Sequence, residues 1–223
     1  MPTTTPPVGT TPTTQPDQRP GGGCDAVGYG VGVGLHLSQI AEADELLTSD
    51  PLALLIGMVL DQQIPLERAF AAPHELTRRL GQPLDAEELA KYDPDALGAI
   101  FSQVPALHRF PGSMAKRVQA MCQLIVDTYD GDAARVWTTA ADGKELLRRV
   151  AALPGFGQQK AKIFVALLGK QLGVTPPGWR EASAPFGDEG TFRSIADITD
   201  VATRDQVREY KKAMKAAAKA QAG

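Results

Sequence analysis

Residues Leu153-Pro154-Gly155-Phe156-Gly157 constrain this chain more than any other stretch. An apolar helical pattern (Leu146, Leu147, Val150, Leu153) stops there, and a second one begins at once with Gln158-Gln159-Lys160-Ala161-Lys162. Proline cannot continue the first helix, and two glycines one residue apart allow a very tight turn, so two helices must fold back on each other here. The second helix opens with N–H groups that no side chain caps. Bare N–H groups at the positive end of a helix form an anion site, and Lys160 and Lys162 follow within its first turns. This reads as a grip on a nucleic-acid phosphate.

The rest of the pattern is helical. Asp50 or Ser49 caps a segment with Pro51 at its first position. Leu52, Leu54, Leu55, Ile56, Met58, Val59 and Leu60 follow, apolar on every side, which predicts a central buried helix. It breaks off at Asp61-Gln62-Gln63-Ile64-Pro65. Further helices are expected at about 66–80, 85–91 and 94–102. Ser113 is expected to cap a helix carrying Met114, Val118, Met121 and Ile125, and Asp130-Gly131-Asp132 to form a turn. The hairpin helices are expected from Gly143 to Ala152 and then with Ala161, Phe164, Val165, Leu168 and Leu172 on one face. Residues 173–190 read as a long loop. No alternating strand pattern appears, so the fold class is all-α.

Residues 1–34 are rich in Thr, Pro and Gly and are expected to be a disordered tail without the marks of a secretory signal. The helical domain is expected over 35–203. A basic segment, 204–223, follows with Arg204, Arg208, Lys211, Lys212, Lys215 and Lys219. Val207, Tyr210 and Met214 suit docking of its start, and its end reads either as a solvated helix or as a clamp on DNA.

The chain carries a formal charge of −3, so contact with nucleic acid must come from charge segregation. Cations gather at Lys144, Arg148, Arg149, Lys160, Lys162 and Lys170, and at His108, Arg109, Lys116 and Arg117. Acids gather at 42–50 and 85–95. No apolar run approaches the roughly 18 residues of a membrane span. With only Cys24 and Cys122, the chain cannot build a four-cysteine iron–sulfur or zinc site. Cys122 reads as a buried core thiol in a cytoplasmic protein.

Leu55-Ile56 through Asp61-Gln62-Gln63-Ile64, Ala106-Leu107 through Lys116-Arg117, Asp130-Gly131-Asp132, and Leu153 to Ala161 occur in an order that resembles the helix-hairpin-helix (HhH-GPD) DNA glycosylase superfamily, over roughly residues 50–170. The resemblance implies a bacterial branch without the iron–sulfur cluster, and a two-lobed helical body with DNA in the cleft. It further implies that a damaged base is flipped out of double-stranded DNA and that its N-glycosidic bond is cut. Gln62 or Gln63 matches the glutamine that fills the gap left by the flipped base. Pro154, Gly155, Phe156, Gly157, Gln159, Lys160 and Lys162 form the matching hairpin. No side-chain metal site and no cofactor are implied, although relatives often hold a monovalent cation on hairpin carbonyls. A monomer associated with the nucleoid when bound to DNA is expected.

Two departures shape the expected chemistry. The lysine with which bifunctional members attack the sugar is replaced here by Gln159, so no β-lyase activity is expected. The aspartate that relatives place about 18 residues further on, to stabilise the cationic sugar or activate water, falls on Pro177. A shifted loop would make Asp188 its equivalent, five residues before Arg193 and just before a helical turn. Asp197, Glu181, Glu189 and Asp61 are the other carboxylates considered. The adenine-glycosylase type of catalytic glutamate is absent, its position being Met58. Three readings follow: a monofunctional DNA glycosylase, a module that recognises DNA lesions without cutting, or a helical interaction protein without DNA binding, which fits the net acidity but leaves the hairpin unexplained. Trp137, Trp179, Phe110 and Tyr129 are the aromatics considered for stacking on a base, with Trp179 foremost.

Overall fold

In a computed structural model that describes Met1 and residues 34–221, every regular element is a helix. The expected disorder of residues 1–34 therefore lies, apart from its two ends, outside the described residues, as does Cys24. The elements are α1 (Ala41–Ser49), α2 (Pro51–Leu60), α3 (Leu66–Leu80), α4 (Ala86–Lys91), α5 (Pro94–Ser102), α6 (Pro111–Tyr129), α7 (Arg135–Thr138), α8 (Gly143–Ala152), α9 (Gln158–Gln171), α10 (Trp179–Ser183), a 3-10 turn at Ile195–Asp197, and α11 (Val201–Gln221).

α2 is the central helix its composition calls for. The Asp50 carboxylate accepts from the N–H groups of Leu52 and Ala53, Pro51 takes the first helical position, and every residue from Leu52 to Leu60 is buried. Such a cap stabilises a helix by about 1 kcal/mol. α1 and α3 pack on α2, while α4 and α5 pack on the long α6, which also touches α2. These six helices form one lobe. The second is built on α9, which α8, α10 and the 3-10 turn surround.

Two sequence expectations need correcting. Ser113 does not cap α6: the helix starts at Pro111, whose fixed φ and missing N–H suit the first position, and Ser113 lies inside its first turn. Residues 173–190 are not one long loop either. They contain α10, because Trp179 is buried in a notch between α8 and α9. A Cβ at Gly143 or Gly169 would overlap Trp179, so these two glycines make the notch. Trp179 is thereby a packing residue, its ring filling the notch.

The lobes meet where the hairpin between α8 and α9 rests on the end of α2. Gly155 has φ +94°, a conformation that favours glycine. A Cβ there would lie 2.9 Å from Arg117 Cδ and 3.2 Å from Val59 Cγ1. Phe156 anchors the turn by turning inward onto Phe164, with ring centroids 5.6 Å apart.

Candidate nucleic-acid interface

The end of α2 and the hairpin build one site. α2 stops after Leu60, and the Asp61 N–H closes its last turn on the Gly57 carbonyl. The chain then bends sharply at Gln63, which has φ +58°, a strained left-handed value for a residue other than glycine. This separates two neighbouring glutamines. Gln62 is committed internally: its Nε2 donates to Val59 O at 2.6 Å, and its Oε1 accepts from Arg117 Nη1 at 2.9 Å. Its carbonyl oxygen accepts a 2.7 Å hydrogen bond from His108 Nε2, while His108 Nδ1 accepts from the Phe110 N–H. Because Nδ1 is an acceptor, Nε2 must carry the proton. Gln63 is exposed, and its side chain bonds to no described residue. The His108–Gln62–Arg117 network, with His108 buried and the other two half-buried, is thus the buttress, and Gln63 is the residue it presents.

Gly157 precedes α9 in extended conformation and supplies no side-chain cap. The first helical hydrogen bond runs from the Ala161 N–H to Gly157 O. The N–H groups of the first turn are therefore left to an external acceptor. A Cβ built at Gly157 meets nothing within 4 Å, so the approach to this helix end is open. Phe110, 45% exposed, and Arg109, whose guanidinium carbon lies 5.3 Å from the Phe110 ring centroid, flank the same network through His108.

The two lysines of the hairpin helix are not outward phosphate contacts. Lys160 Nζ crosses between the lobes to donate to Met58 O at 2.7 Å, and Lys162 Nζ donates to Ala184 O at 3.1 Å. Lys160 is rotated about 100° from the exposed Gln159 and so turns toward α2, whereas Lys162 lies one turn beyond the exposed Gln158 and is occupied because the carbonyl after α10 comes within its reach. At the hairpin, what stays open to the outside is the uncapped backbone at the start of α9.

Asp188 does not reach the hairpin. Its carboxylate pairs with Arg193 Nη1 at 3.0 Å, and its carbonyl oxygen accepts from Lys170, which sits in the last turn of α9, about 20 Å from the helix start. Nor does it precede a helical turn directly. It lies in the turn before Gly190, and the 3-10 turn comes later, capped by Ser194 with Asp197. Asp197 is consumed there: it accepts from the N–H groups of Arg193 and Ser194 and pairs with Lys170 at 2.6 Å.

The carboxylate brought to the hairpin is Asp61. It is half-buried at the end of α2, and burial pushes its pKa above the usual aspartate range, against the opposing charges of Lys211 and Lys160; Glu67 pushes it further up. Burial likewise pushes Lys160 down, with Asp61 partly restoring it and Arg117 lowering it again. In sequence, Asp61 was one of several carboxylates. Its adjacency to Gln62-Gln63 was the signal that could have ranked it first.

Among the aromatics considered, Trp137 is buried edge-on to Phe164, and Tyr129 is half-buried with the Arg149 guanidinium over its ring. Of the four, Phe110 is the exposed one. Among the described residues, no group of three or more His, Cys, Asp or Glu side chains is arranged to hold a metal ion, and no helix is long and apolar enough to cross a membrane.

A family model described as HhH-GPD superfamily base excision DNA repair protein matches residues 56–219. No curated protein matches the chain.

Proposed function

The chain belongs to the HhH-GPD superfamily of base excision DNA repair proteins, and on that premise we propose that it is a monofunctional DNA glycosylase acting as a cytoplasmic monomer on duplex DNA with a damaged base. One observation carries the reading: the hairpin sits on the end of α2, so that an open helix N-terminus, the exposed Gln63 and the Asp61 carboxylate belong to one junction. The N–H groups after Gly157 hold a backbone phosphate. Gln63, set by the buttress beneath it, enters the stack where the base has left and hydrogen-bonds the orphaned partner. Phe110 and Arg109 lie against the flanking duplex.

Asp61 takes the part that the sequence suggested for Asp188. In hydrolysis the bond from C1′ to the base nitrogen breaks, and its electron pair leaves with the base, which takes a proton from solvent. The water oxygen bonds to C1′ and gives its proton to the Asp61 carboxylate. A carboxylate raised toward neutrality is a better base than an ordinary aspartate, and its charge also stabilises the cationic sugar. The turn suits the monovalent cation implied by the family resemblance, since the carbonyls of Pro154, Gly155 and Phe156 accept no hydrogen bond from a described residue. When bound, such a cation would add positive charge beside the phosphate.

Lyase chemistry is outside this proposal. Gln159 has no nucleophile, and the Lys160 amine is held by the Met58 carbonyl. The ion pairing of Asp188 at the far end of α9 favours the second reading, a module that holds lesions without cutting. The deciding experiment incubates the protein with a panel of damaged-base duplexes and then adds alkali to reveal abasic sites. Release of a base by the wild type, its loss in Asp61→Asn and its retention in Asp188→Asn are expected, together with no borohydride-trapped adduct on an abasic duplex. Binding without release from any duplex would establish the module instead.

A further inference from the structure

Helix α11 is longer than any other helix here, yet it has little to do with the core. Of its described side chains, Val207 is buried, while Tyr210 and Met214 are 37% and 52% exposed. Its ties to the first lobe lie in its first half: Arg208 pairs with Glu67 of α3, and Lys211 lies close enough to Asp61 for its charge to favour the ionised carboxyl. Beyond Lys211 the helix continues for ten residues with Lys212, Lys215 and Lys219 exposed and no acid among them.

Arg204, Arg208, Lys211, Lys212, Lys215 and Lys219 follow one another at helical spacing. At 3.6 residues per turn all six fall within a sector of about 100°. Glu209 and the apolar Val207, Tyr210 and Met214 fall outside it. The middle of the stripe, Arg208 and Lys211, therefore lies at Glu67 and Asp61, and its outer part continues past them along the helix axis. From Lys211 to Lys219 it covers about 12 Å, which matches three to four base pairs of duplex backbone.

We propose that the outer half of this stripe, Lys212, Lys215 and Lys219, is a second DNA contact that holds the phosphate backbone to one side of the lesion. The inference rests on the DNA reading above and adds to it a surface outside the hairpin. Charge complementarity identifies the partner. An acid-free line of ammonium groups on a molecule of net charge −3 continues a site that already presents an open anion-binding helix end. Burial of Val207 and the Arg208–Glu67 pair hold the first half of the helix to the body, so the outer lysines meet the duplex as a row at helical spacing.

The test compares the full chain with its Lys212→Gln/Lys215→Gln/Lys219→Gln variant on duplexes containing a tetrahydrofuran abasic-site analogue. One duplex extends well beyond the lesion on both sides, and the other ends just past it. The variant should bind the long duplex roughly tenfold more weakly, and its plot of log affinity against log salt should be shallower by about 2 to 3 units, one for each phosphate that the lysines no longer neutralise. Affinity for the short duplex should be unchanged. The thermal midpoint should also be unchanged, because these exposed side chains bond to no described residue. If the wild type binds the long duplex and the variant matches it in affinity and salt slope, the stripe is no DNA contact, and the hairpin reading stands alone. If the wild type binds neither duplex, both proposals fall. Anionic phospholipid vesicles form the control: loss of vesicle binding in a variant that retains its DNA affinity assigns the stripe to membranes and overturns the proposal.

Discussion

Asp61 illustrates how a single residue can be set by its surroundings against its own solvation. The folded protein holds its pKa above the ordinary aspartate value, chiefly through burial. Between those two values the folded state binds more protons than the unfolded one, so stability is greater below the window and falls as pH rises through it. Ionised Asp61 is therefore a net cost at neutral pH. Asp61→Asn is expected to raise the thermal midpoint at neutral pH and to lose that gain in acid, while abolishing base release. Melting curves over a pH series check the sign, and an unchanged or lower midpoint at neutral pH would contradict it. A stabilising change that removes activity is what a strained functional carboxylate should give. Cys122 is the opposite kind of residue: burial pushes its thiol up to about 12, which fits the inert core thiol expected from its apolar helix.

At the scale of elements, the hairpin uses its two glycines differently. Gly155 is required by the fold, because its φ is positive and its missing Cβ lets the turn close on Arg117 and Val59. Gly157 has φ −96°, which any residue adopts, and open space beside it. The two substitutions should therefore separate. Gly155→Ala is expected to cost about 1–3 kcal/mol of stability through strain and overlap. Gly157→Leu is expected to leave the melting temperature within a degree or so while weakening duplex binding about tenfold, the equivalent of one charge-assisted hydrogen bond. Equal DNA affinity in a folded Gly157→Leu protein would remove the phosphate from that helix end.

On the scale of the whole molecule, the first lobe is tied together by Arg79. Its side chain is only 4% exposed and donates to the carbonyls of Ile100 and Pro105 at 2.7 Å each, joining α3 to the end of α5 and the loop beyond. Its charge is matched by Glu75, which also pairs with Arg78. The hydrogen bond from Arg78, followed by that from Arg79, lowers the Glu75 carboxyl to about 2. The lowered value means that the Glu75 contribution is fully present above the ordinary glutamate range and is lost as pH falls toward about 2. Glu75→Gln should lower the thermal midpoint at neutral pH and flatten this part of the acid limb, as melts at several pH values will show. An acid limb identical to that of the wild type would place the acid sensitivity elsewhere.

Much of this organisation was legible in the chain. Helices α2, α3, α5 and α8 begin and end where proline, aspartate caps and the loss of apolar periodicity say they should, because these signals act within a turn or two of backbone. The hairpin was legible for the same reason. Orientation was not. Gln62 and Gln63 are neighbours of identical chemistry, and only the long-range bonds to His108 and Arg117 make the first a buttress and the second the presented residue. Lys160 and Lys162 looked like phosphate contacts until the packing of α2 and α10 supplied carbonyls for their ammonium groups. Asp188 had a suggestive spacing to Arg193, but the length of α9 carries both to the wrong end. An all-helical fold with a phosphate-shaped hairpin follows from the order of residues alone, because capping and periodicity are local. That Asp61 is the carboxylate beside the hairpin follows only from packing, because it depends on which helix ends meet when apolar faces distant along the chain are buried together.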